Sequence, residues 1–70
     1  MILGELNFIE EQIQQYSKAI ETQQNKINRI RKEFLYEPLY EIQIQKRLKA
    51  KLYALKYKRE KILATNLQNI

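Results

Sequence analysis

The sequence predicts an all-α fold, an antiparallel two-helix hairpin of coiled-coil type that pairs into a dimeric four-helix bundle. Three observations carry this. An apolar heptad runs through the first half, the chain breaks once at Pro38, and the second half has a broad apolar sector out of register with the first. Composition agrees: ten Ile, nine Leu, nine Lys and eight Gln stand against one Gly, one Pro and no Val, so helix formers dominate and turn chemistry is scarce.

In the first helix, expected over about residues 3–35, Leu6, Ile13, Ile20, Ile27 and Phe34 fall at heptad position a. Ile2, Ile9, Tyr16, Gln23 and Ile30 fall at d. A 3.5-residue repeat held this long keeps one face of a slightly under-wound helix on a partner helix. The flanking positions are mostly polar, including Glu5, Gln12 and Lys26 on one side and Glu10, Ser17 and Gln24 on the other, so the buried stripe is narrow. Gln23 interrupts the seam. It is either a tolerated polar residue near the surface or a register pin paired with a buried polar partner.

Residues 36–38 form the expected break. Proline lacks an amide hydrogen and disfavours helical geometry in the residue before it, so the second helix starts at about residue 39 with Pro38 at its entry and ends near 68. A connection this short makes the helices antiparallel neighbours. The rival, one long helix kinked at Pro38, fares worse because extending the first register gives Glu37, Lys51, Lys58 and Thr65 at d. The chain is read as a single domain, residues 1–70.

In the second helix Ile44, Leu48, Leu52, Leu55, Ile62, Leu63, Leu67 and Ile70 gather into one sector at 100° per residue, with Arg59 and Asn66 inside it. Their spacing approximates an eleven-residue repeat, which predicts a nearly straight helix mismatched with the first. So wide a sector is expected to touch helix 1 on one flank and a second chain on the other. Antiparallel pairing brings Arg59 to the level of Glu11, Gln12 and Tyr16, where it either snorkels or forms a seam salt bridge to Glu11.

Charge is unevenly distributed. Residues 1–45 hold five basic and seven acidic side chains, and residues 46–70 hold eight basic and one acidic, Glu60. The eight cations all lie between Lys46 and Lys61. Lys46, Lys49, Tyr53, Lys56 and Tyr57 point away from the apolar sector, which makes them the candidate partner or nucleic-acid face. Lysines along a helix can neutralise successive phosphates and tyrosines can stack or donate a hydroxyl. No grouped Arg, Asn and Gln set for reading bases accompanies them, so such binding would be independent of sequence.

Catalysis is not expected. His, Cys and Asp are absent, Ser17 is the one serine, and the eight glutamates are scattered, so neither a nucleophile with its base nor a zinc or calcium ligand set can be assembled. No cofactor is expected. Acids appear by Glu5 without a basic leader pattern, and no apolar run reaches the roughly 20 residues of a membrane span, so the expectation is a cytoplasmic protein with no membrane partner. The function read from these residues is that of a small non-enzymatic adaptor, regulator or inhibitor. It would self-associate and bind another protein through a helical surface. A nucleic-acid-binding protein and a structural subunit of a larger assembly are the alternatives.

Overall fold

A computed structural model of the chain describes the backbone of residues 2–68 and the side chains of residues 4–65. Two helices, α1 (Ile2–Phe34) and α2 (Leu39–Gln68), pack antiparallel into a rod 55 Å long and 14 × 13 Å across. The all-α hairpin expected from the sequence is the fold. The expected seam positions Ile2, Leu67 and Ile70, and Asn66 beside them, lie outside the described residues.

The inward face of α1 follows its heptad. Leu6, Ile9, Ile13, Tyr16, Ile20, Gln23, Ile27 and Ile30 are all buried or half-buried, and Ile9, Ile13 and Ile27 are almost fully withdrawn from water. Phe34, placed in the seam by the same repeat, is instead 63% exposed. It is the last residue of α1, where the hairpin turns, and its ring leans on that of Tyr36 in the turn.

The second helix departs from expectation. Its inward positions are Glu41, Gln45, Leu48, Leu52, Leu55, Arg59 and Ile62, again at alternating steps of four and three. The eleven-residue reading is therefore corrected. A helix laid along a heptad seam must offer knobs at the period of the facing holes, and this requirement overrides the direction in which apolar residues are densest. Gln45 takes the central position at 7% exposure, Ile44 is turned to the flank, and Leu63 is 42% exposed.

Three features build the turn. Leu35 sits in left-handed geometry at φ 55° and ends α1, a conformation normally given to glycine. Pro38 is fully buried and acts as the N-cap of α2, its carbonyl accepting the Ile42 amide at 3.0 Å, while the Leu39 amide donates to the Glu37 carbonyl at 2.9 Å. Arg31 grips Glu37 across the turn through two hydrogen bonds, Nε to Oε1 at 2.8 Å and a terminal nitrogen to Oε2 at 3.0 Å. The planar fork of arginine fixes the direction of the exit as well as its distance.

Two outcomes follow for stability. Replacing Ile27, 1% exposed, with alanine opens a cavity in a seam with few deep side chains. The expected loss is about 2–4 kcal/mol, most of what a domain this small holds, so helicity at 25 °C should fall sharply in circular dichroism. Leu35→Gly acts in the opposite sense. The side chain is 85% exposed, so removing it costs little packing while relieving the left-handed backbone. A gain of about 1 kcal/mol, or roughly 5 °C in the melting temperature of dilute protein, is expected.

Candidate interaction surfaces

Polar groups in the seam are paired across it. The Gln23 side-chain amide donates to the Glu41 carbonyl at 3.2 Å. Gln45 donates to the Gln24 side-chain oxygen at 2.7 Å, and Gln24 passes a hydrogen bond on to Asn28 at 2.9 Å. Among the described residues no buried side-chain nitrogen or oxygen lacks a partner. Gln23 therefore has a cross-helix bond, but the more deeply buried polar residue is Gln45, which a search for apolar periodicity passes over because Ile44 beside it fits the pattern better.

Arg59 lies on the seam as expected, 29% exposed, and donates to Glu10 at 3.3 Å. Glu11, the expected acceptor, is exposed and takes no part. The two glutamates stand 100° apart on α1, and only Glu10, at the flank of the stripe, faces α2. The pair is half open to water, a setting in which an ion pair stabilises by about 0–1 kcal/mol.

Lys46, Lys49, Tyr53, Lys56 and Tyr57 are all exposed, Tyr53 by 80% and Tyr57 by 61%. Tyr53, Lys56, Tyr57 and Glu60 line one shallow depression, and the Lys61 ammonium lies 5.1 Å from the centroid of the Tyr57 ring. Helical geometry separates the cations into two flanks. Lys46, Lys49 and Lys56 lie on one side, and Arg47, Lys51 and Lys58 on the other. Between them run Ala50, Tyr53, Ala54, Tyr57 and Ala64, all exposed, with Lys61 among them beside Tyr57. Of the eight cations in residues 46–61, Arg59 alone forms an ion pair among the described residues.

No family model, curated protein or solved structure matches the chain. Any functional reading therefore rests on its own surfaces. No helix among the described residues is long and apolar enough to cross a membrane.

A second surface lies at the turn between α1 and α2. Among the described residues nine large apolar or aromatic side chains are markedly exposed, and five of them, Phe34, Leu35, Tyr36, Leu39 and Tyr40, crowd the turn at 56–85% exposure. The Phe34 and Tyr36 rings lean together with centroids 6.4 Å apart. Leu35 and Tyr36 border a depression floored by the Arg31–Glu37 pair. The signal was present as FLYEPLY, but a proline between helices reads first as punctuation.

The Arg31–Glu37 pair gives this end of the rod a dependence on acid. The hydrogen bond from Arg31 holds the Glu37 carboxyl below the usual carboxylate range, and the same bond raises Arg31. A depressed acid contributes stability that is fully present above its unfolded-state pKa and is lost as pH falls through the folded value. The raised arginine contributes at all pH values below its own strongly alkaline range. Melting temperature should therefore drop on acidification below the ordinary glutamate range, and Glu37→Gln should remove part of that drop while leaving the rest of the titration curve unchanged.

Proposed function

We propose that the chain is a cytoplasmic, non-enzymatic interaction protein that docks the outer face of α2 on an acidic protein partner. One observation carries this reading: six of the eight cations of α2 lie to either side of an exposed line of Ala50, Tyr57 and Ala64, with Lys61 beside Tyr57, instead of forming one continuous row. A smooth apolar and aromatic centre with a charged rim is the anatomy of a protein interface, and tyrosine is prominent among residues that dominate binding energy. The small Ala50 and Ala64, on the same line as Tyr57 and to either side of it along the axis, let another helix approach closely. Lysines on both flanks select acidic partners and accelerate encounter.

A second reading, sequence-independent binding to nucleic acid, draws on the cations that no carboxylate neutralises. Phosphates would then take the place of the partner's acids.

Affinity capture from the native host with two exposed-surface variants tests the proposal. Tyr53→Ala with Tyr57→Ala removes the centre, and Lys46→Glu with Lys49→Glu and Lys56→Glu inverts one rim. Both should melt as the parent does. A protein retained by the parent should be lost from both, with affinity falling by about 30-fold or more for the tyrosine pair. Retention of the same protein by both variants would count against this face. Mobility shift on DNA and RNA separates the second reading: binding that weakens steeply with salt supports it, and no binding at low salt removes it.

A further inference from the structure

From the exposed turn we infer that the tip of the hairpin is a self-association surface, on which a second copy of this chain docks tip to tip about a two-fold axis. This site is separate from the α2 face and does not rest on the reading given to it.

Area is the first argument. Phe34, Leu35, Tyr36, Leu39 and Tyr40 fall within seven residues at the turn, and at 56–85% exposure they present on the order of 600 Å² in all. That approaches the roughly 800 Å² per partner of a standard interface and stands at the upper end of the roughly 300–600 Å² of the largest apolar patch on a soluble monomer. The seam, by contrast, fully withdraws only Ile9, Ile13 and Ile27 among apolar described residues. A rod with so small a core needs further burial, and the tip is where most of its large exposed apolar side chains lie.

Charge selects the occupant. Between residues 29 and 41 three cations, Arg29, Arg31 and Lys32, balance three carboxylates, Glu33, Glu37 and Glu41. Most are already paired within the hairpin: Arg29 with Glu33 at 3.9 Å, Arg31 with Glu37 at 2.8 Å, and Glu41 with Lys26 at 3.8 Å. Such a surface has no pull on phosphates, and seating it in a bilayer would dehydrate three carboxylates. It can, however, meet its own copy without repulsion. Geometry then favours end-to-end over side-by-side association. Lys46 lies roughly 12 Å beyond Pro38 along the axis, so two cationic α2 faces in a tip-to-tip pair stand farther apart than the screening length of about 8 Å. Laid side by side through those faces, they would come within it.

The tip is also set before it binds. Buried Pro38, the left-handed Leu35 and the bidentate Arg31–Glu37 clamp fix the backbone from which these side chains project, so association has little main chain to order. Leucine at φ 55° serves no purpose in the isolated hairpin, where glycine would be easier to accommodate, whereas its 85% exposed side chain is the most prominent apolar group of the surface.

Sedimentation velocity over a wide concentration range, with small-angle scattering of the associated form, tests this on the full chain. The expected result is a dimer whose longest dimension is about twice the 55 Å of one rod. Leu35→Asp with Tyr40→Asp, both exposed, should weaken dimerisation by about tenfold or more with unchanged helicity. A monomer at all concentrations, a dimer no longer than one rod, or a double variant that dimerises as the parent does would each overturn the inference. So would a chain that stays monomeric and floats with phosphatidylcholine vesicles, which would assign the tip to a lipid surface.

Discussion

Two helices packed side by side can remove side chains from water along a single line, and here that line closes almost completely over three isoleucines, Ile9, Ile13 and Ile27. All three belong to α1. The opposing α2 residues, Leu48, Leu52, Leu55 and Ile62, are only half covered, because each has α1 on one side and solvent on the other. This narrowness governs the rest of the molecule. Polar residues can enter the seam at modest cost, since water is one side chain away, and the period of α1 dictates which face α2 turns inward even where that face is not its most apolar one.

The polar entries give the seam its alignment. A row of isoleucines facing a row of leucines is nearly indifferent to sliding by one heptad, because each knob would find a similar hole. Gln45 on Gln24, Gln23 on the Glu41 carbonyl and Arg59 on Glu10 are satisfied in one alignment. Displacing α2 by seven residues would carry Gln45 from Gln24 to the level of Ser17 or Arg31 and would separate Gln23 from Glu41 and Arg59 from Glu10, so these pairs would be lost together. The bonds act chiefly through the alternatives they penalise, and less through their own contribution to stability.

Much of this was legible in the sequence, for identifiable reasons. The α1 stripe could be read because its apolar residues repeat strictly, and the break could be read because Pro38 leaves the backbone little choice. The face of α2 was misread by one position because apolar density points to Ile44 and Leu63, and only the presence of α1 makes Gln45 the residue that must face inward. Glu11 was chosen over Glu10 for the same kind of reason: level along the axis is easy to estimate, while rotation about it depends on how the partner packs. The five exposed residues of the candidate α2 face were found because solvent-facing angles follow from helical spacing alone. The tip was missed because periodicity has nothing to say about residues between two periods.

The four-residue connection between α1 and α2 also orders events along the rod. Joining Gln23 to Glu41 closes a loop of 18 residues, whereas joining Arg59 to Glu10 spans 49, and the entropy of closure rises with that length unless the nearer rungs are already formed. Pairing therefore proceeds most cheaply as a zipper that starts beside Pro38 and runs outward, a path in which every step is local and folding is fast. The far end is the last to close and the first to open. Ile9 and Ile13, two of the three buried isoleucines among the described residues, sit toward that end, where the chain has least entropic help in staying shut.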